Sequence, residues 1–284
     1  MPLAKELVLG YATLSGTTQN ALTAGTGQSF TVRNFSTGRA ELLEVNAADS
    51  VGAFTMQIKS PKMHDSTYGI QFASTPKSLA GTSIFNPVQL LPGYTTQTLY
   101  ATDALTWTMA GANSDVVCAT LDVYYTDLSG IAARLYSWAQ TEPLIVNLAG
   151  VTVTPETSGT GGAWGTSAAL NSGNYNLKAN TDYAILGYQV QQPCVAVGIQ
   201  GVDTGNLTLG GPGSTNTAYN GSFFVDQSVK YASSGLGAQI PVFNSNNATG
   251  TTVNVAMTNT STNIIVSILV AQLSQLLPSP GAGA

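Results

Sequence analysis

The chain holds a single histidine, His64, in the stretch KMHDS beside Asp65. A Ser-His-Asp arrangement or a histidine-based metal site would both have to use it. A loop histidine next to an aspartate reads first as a solvated turn residue, so neither chemistry is expected. Fourteen acidic residues could supply the paired carboxylates of glycoside hydrolysis. Most of them, such as Asp49, Asp103, Asp127 and Asp203, stand in turn contexts where hydrogen bonding to the local backbone accounts for the residue type. GTGGAW (159–164) and GNLTLGGPG (205–213) look like phosphate-cradling loops, but neither ends in Lys-Ser/Thr or runs into a helix. Cys118 and Cys194 sit in strand-like runs without a companion Cys or His at ligand spacing, and read first as small buried hydrophobes and second as a disulfide. No catalytic, cofactor-binding or metal-ligating residue is therefore assigned, and the chain is not expected to be an enzyme.

Three tryptophans remain as binding candidates. Trp107 lies on a strand pattern and Trp138 on an apolar helical face, which points to packing. Trp164, inside a glycine-rich loop, is the candidate for exposed contact, together with Tyr219 and Phe223-Phe224. Asn-X-Ser/Thr sequons at Asn34, Asn206, Asn220, Asn247 and Asn259 are explained by the abundance of Ser and Thr, and imply no glycosylation.

The elements that would carry these residues are strands. SFTV (29–32), AELLEV (40–45), AFTMQI (53–58), YAILGYQV (183–190), VAVGIQGV (195–202) and NLTL (206–209) are short and β-branched or aromatic, and turn residues separate them. Thirty glycines and twelve prolines punctuate the chain at the spacing of a sandwich or barrel. The exception is DLSGIAARLYSWAQTEP (127–143). Ser129 could cap it, Ile131, Leu135 and Trp138 share one face, and Pro143 ends it, which predicts a short amphipathic helix.

Around that helix the chain repeats itself. DALTWTMAGANSDVVCATLDVYY (103–125) reads as two strands and a turn, and TTVNVAMTNTSTNIIVSILVAQL (251–273) reads the same way at an offset of 148. LTAGTGQSF (22–30) resembles LKANTDYAI (177–185) at an offset of 155, and Pro87-Val88 recurs as Pro241-Val242 at 154. Matches in one order with drifting offsets predict two similar domains whose loops differ in length. Each half has room for about eight strands. Long connections at Lys59–Leu99 and Gly210–Thr251 fall at corresponding places.

Only 8% of residues are charged, with nine Lys and Arg, fourteen Asp and Glu, and a net charge of −5, against about 25% charged residues in ordinary soluble domains. A neutral surface suits coverage by neighbouring subunits, because charge is depleted at interface cores. The cations are scattered, so sequence-specific or wrapping nucleic-acid binding is not expected. No run reaches the length of a membrane-spanning helix, and the amino-terminal residues lack the pattern of a cleaved secretory signal.

The repeated strand pattern, the bridging helix, the paired long loops and the scarcity of charge resemble the double jelly-roll major capsid proteins of tailless icosahedral viruses, over most of the chain. The resemblance implies an all-β fold of two tandem eight-stranded jelly-roll sandwiches: 1–128, a connecting helix 129–142, a second sandwich 143–277 and a flexible tail 278–284. It further implies a virion location, a homotrimer forming a pseudo-hexagonal block, contacts with neighbouring capsid trimers and with penton or minor capsid proteins, and an internal lipid membrane beneath the shell. Two other readings are a carbohydrate-binding β-sandwich centred on Trp164 and a surface-layer protein.

Overall fold

A computed structural model describes residues 4–36, 39–49, 54–63, 65–73, 97–126, 131–192, 194–213, 220–225, 240–257 and 261–278. It is a mainly β protein. In the first half the strands are β1 (Ala4–Ser15), β2 (Asn20–Ala21), β3 (Thr23–Ala24), β4 (Ala40–Asp49), β5 (Thr55–Lys59), β6 (Ile70–Ala73), β7 (Gln97–Leu99), β8 (Thr106–Ala110) and β9 (Asn113–Tyr125). They form two sheets, β3-β1-β9-β4-β7 and β2-β8-β5-β6, in which every pairing is antiparallel. The period-2 alternation explains how the sheets face each other. Met56 and Ile58 of β5 and Trp107 and Met109 of β8 are buried in the space between them, where Trp107 meets the edge of Phe30.

The second half contains β10 (Leu135–Tyr136), β11 (Ile145–Val153), β12 (Ala168–Ala169), β13 (Asp182–Val190), β14 (Ala196–Gln200), β15 (Leu209–Pro212), β16 (Asn220–Phe223), β17 (Ile240–Asn244), β18 (Thr252–Ala256) and β19 (Val266–Leu273). Its sheets are β10-β17-β13-β19-β11, with β16 also on β13, and β12-β18-β14-β15. None of the named sheets mixes strands from the two halves. The pairing order β1-β9-β4-β7 recurs as β11-β19-β13-β16, and β2-β8-β5-β6 recurs as β12-β18-β14-β15. β17 continues along the edge of β13 that β16 occupies, because β19 fills the other edge from Tyr183 to Val190.

The twice-written strand pair falls on equivalent strands, but it is not a hairpin. β8 and β9 lie in different sheets, as do β18 and β19, so each pair crosses from one sheet to the other. The offset of 148 places buried Trp107 on buried Val255, yet it sets Cys118, on the outward face of β9, on Val266 of the inner core. Two residues separate β8 from β9, whereas β18 and β19 are separated by 257–265. An odd shift in register reverses the face of every side chain, so one offset cannot serve both strands. The match of 22–30 with 177–185 joins non-equivalent places, since the second segment enters β13, whose counterpart is β4. Pro87-Val88 lies outside the described residues, as does His64.

The expected helix over 129–142 is also corrected. Helix α1 spans only Trp138–Thr141, and its cap is Ser137, whose Oγ accepts from the Gln140 N–H while Gln140 Oε1 accepts from the Ser137 N–H at 2.9 Å. Ser129 lies outside the described residues. Upstream, the backbone is extended and serves the second half. Ala133 bridges Thr204, the Arg134 N–H donates to Asp203 O at 2.7 Å, and Leu135-Tyr136 pair with Pro241-Ile240. A helix of one or two turns is marginal without tertiary support, and here the tertiary partners favour a strand. At the other end the Leu277 and Pro278 carbonyls accept from Arg134 and Tyr136, so the carboxy-terminal segment is tied to the linker as far as 278.

Candidate functional site: the joint between the two sandwiches

Alternation along β1 and β9 sends Val8, Leu14, Val117 and Leu121 into the space between the first half's two sheets. The opposite face carries Lys5, Leu7 and Leu9 on β1 with Cys118 and Asp122 on β9, each 2% exposed or less. What covers them is the outer face of the second half's four-stranded sheet: Leu7, Leu9 and Cys118 cluster with Val195, Ala196 and Ala256, and the Trp164 ring packs against this cluster. That sheet is built for close approach. A Cβ at Gly198 would come within 2.9 Å of the Trp164 ring. Gly162, at φ +86°, brings the 158–164 loop so near β9 that a Cβ there would lie 2.7 Å from the Val117 carbonyl. The glycine-rich loop is thus a wedge inserted between the halves.

Polar groups in the joint are matched. Gln28 fills its whole hydrogen-bonding capacity: Oε1 accepts from the Leu9 N–H (2.9 Å) and Trp164 Nε1 (3.1 Å), while Nε2 donates to Leu7 O (2.7 Å) and Thr208 Oγ1 (3.1 Å). It stands in for a neighbouring strand along the edge of β1. The Leu7 N–H completes that edge by donating to Thr208 O at 2.8 Å. Lys5 Nζ lies 2.7 Å from Asp122 Oδ2 and donates across the joint to Gly210 O at 3.2 Å.

A cleft of about 450 Å³ opens beside the joint, lined by Glu6, Gln28, Thr31, Arg33, Thr102 and Ile131. Its charges are committed to each other. Arg33 Nε and Nη2 donate to the two oxygens of Glu6 at 2.7 and 2.5 Å, and this bond, opposed by burial, raises the Arg33 pKa.

The residues singled out from sequence are placed as follows. Trp164 is partly buried in the joint and Phe224 packs edge-on against Tyr188 in the core, so neither forms an exposed sugar platform; Tyr219 lies outside the described residues. Trp107 is core and Trp138 packs against the core from α1. Asp103 and Asp203 sit in turns, but their carboxylates bond across the fold. Asp103 accepts from Ser60 Oγ, and Asp203 accepts from the Asn244 N–H and Asn247 Nδ2. Asp49 ends β4 instead of standing in a turn, and Asp127 lies outside the described residues. Among the described residues, no cluster of three or more His, Cys, Asp or Glu could hold a metal. Gln28 was missed by sequence reasoning, because its partners are up to 180 positions away.

Cys118 and Cys194 are both buried free thiols. Burial, with Cys194 nearby as a smaller cause, holds the Cys118 pKa well above its ordinary 9.0, and burial does the same for Tyr125 relative to 10.0. A raised folded pKa contributes stability that is complete below the unfolded value and declines above it. The urea midpoint is therefore expected to stay level up to about pH 8.5 and then fall. Cys118→Ala should delay that fall, and a thiol reagent should label the native protein only after unfolding. A midpoint independent of pH up to 10.5 or so would contradict this account.

No protein-family model matches the chain, and no curated protein matches it. Among solved structures, the PBSX exported protein XepA aligns at 9% identity over 95% of this chain and 86% of its own, with a TM-score of 0.25. STIV MCP aligns at 8% identity over 93% and 97%, TM-score 0.20. The VP2 subviral particle of infectious bursal disease virus aligns at 10% over 96% and 72%, TM-score 0.21. Overlaps this loose leave the reading to rest on the chain's own topology.

Proposed function

We propose that the chain is a capsid subunit made of two tandem jelly rolls, three copies of which close into a pseudo-hexagonal block that tiles an icosahedral shell. One observation carries this reading: the same eight-strand pairing order is laid down twice, β1-β9-β4-β7 over β2-β8-β5-β6 and then β11-β19-β13-β16 over β12-β18-β14-β15. Four-stranded sheets filled in that order make a jelly roll. A subunit with two equivalent units lets a cyclic trimer present six similar sides. The distribution of charge adds support. Lys5, Arg33, Arg39 and Arg134 are each paired with a carboxylate, and Glu6, Glu41, Asp122 and Asp182 on the other side of those pairs are buried. The exterior is thus poorer in charge than the composition alone implies, as suits a surface that neighbouring subunits cover. Neighbouring trimers, penton or minor capsid proteins and an internal lipid membrane are the partners this reading carries.

Light scattering on the purified 284-residue chain should give a mass three times 29.2 kDa, and negative-stain microscopy should show hexagonal blocks or closed shells. A monomer at every concentration and salt tested would overturn the proposal. Specific binding on a glycan array by a chain that never assembles would replace it with the carbohydrate-binding reading.

A further inference from the structure

Within the chain, the outer face of one sandwich's β1 is covered by the other sandwich's four-stranded sheet, and Thr208, the residue before β15, receives the β1 edge. Both parts of that joint have counterparts in the opposite halves. The counterpart of β1 is β11, and the counterpart of the segment before β15 is the segment before β6. Among the described residues neither counterpart is covered. On β11, Val146 is 58% and Leu148 56% exposed, and a Cβ at Gly150 would meet nothing within 4 Å. Before β6, Tyr68 is 62% exposed. By contrast Leu7 and Leu9, at the filled joint, are 0% exposed.

β11 is an edge strand, and its sequence, IVNLAGVTV, has none of the lysines or prolines that blunt an edge. Its Thr152 end is closed by Asn174, whose Oδ1 accepts from the Thr152 N–H at 2.8 Å. The face beside Tyr68 offers polar side chains to the backbone of an edge strand: with Met56 and Ile58 turned inward, Gln57 and its cross-strand partner Gln71 lie on the outward side of the sheet, as does Lys59, whose Nζ donates to Thr67 O.

We infer that β11, through Val146 and Leu148, docks on the β5-β6 face and Tyr68 of a second copy of this chain, so that the joint within each chain is repeated between chains. Because both surfaces remain exposed in one chain, they meet between copies. The contact is head-to-tail, and a head-to-tail contact whose rotation closes generates a ring. The inference rests on the trimer reading and names its contact surfaces.

The test compares wild type, Leu148→Asp and Tyr68→Asp by sedimentation velocity over a dilution series, with thermal unfolding of each. Both variants should raise the trimer dissociation constant roughly 30-fold or more, the size expected for a central contact residue. Their unfolding midpoints, measured where all are monomeric, should match wild type, since both side chains are exposed. A wild-type monomer would overturn both the trimer reading and this inference. A wild-type trimer that both substitutions leave intact would overturn the inference alone. Dissociation by Leu148→Asp but not by Tyr68→Asp would overturn the assigned occupant.

Discussion

Asp182→Ala is expected to cost about 3–5 kcal/mol of stability, the range for removing one partner of a buried ion pair. The carboxylate is fully enclosed and serves several donors at once. Arg134 reaches both of its oxygens through Nη1 (3.1 Å) and Nη2, Asn244 Nδ2 donates to Oδ1 at 2.9 Å, and the Leu277 N–H donates to Oδ2 at 2.8 Å. These donors come from the linker, β17 and the carboxy-terminal segment, while Asp182 begins β13. Alanine would leave the Arg134 guanidinium, 6% exposed, without its main counter-charge. Arg134→Met should cost less, because Asn244 and Leu277 still solvate the carboxylate. Urea denaturation of the two variants checks the ranking; a loss under about 1 kcal/mol for Asp182→Ala would place the pair outside the buried class.

Lys5→Ala should be comparably damaging, by about 3–5 kcal/mol, and its effect should be felt at the joint. Lys5 and Asp122 are 2% and 1% exposed, and the ammonium also reaches the Gly210 carbonyl of the other half. Its loss takes the 2.7 Å counter-charge away from a buried carboxylate between two apolar sheets. Cys118, on the same outward face of β9, should then become accessible to a thiol reagent under conditions where wild type is protected. The double variant Lys5→Met with Asp122→Leu should recover most of the loss, since a well-packed apolar pair often replaces a buried ion pair at little cost. If the double variant is as unstable as the single one, the joint depends on the charges themselves.

The sequence displayed strands well and connections poorly. The strand periods read in 53–58 and 103–110 agree with the burial of Met56, Ile58, Trp107 and Met109, because half-buried strands carry a local period. The same alternation cannot say whether the next strand joins the same sheet, so two strands and a turn in sequence turn out to be a crossing between sheets. Ile131, Leu135 and Trp138 stand at helical spacing, but Ala133 to Tyr136 take strand partners from β17 and the 201–204 turn that no local window contains. Trp164 shows the same limit. A glycine-rich neighbourhood suggested exposure, whereas those glycines are what allow the loop to enter the joint. Gln28 gave no local signal at all.

The inward pairing of cations has a kinetic corollary. With Lys5 and Arg134 enclosed and Arg33 and Arg39 set against adjacent carboxylates, these four cations would give no electrostatic steering to encounters between copies on the proposed capsid reading, and an association rate of about 10⁵–10⁶ M⁻¹s⁻¹, the unsteered range, is expected.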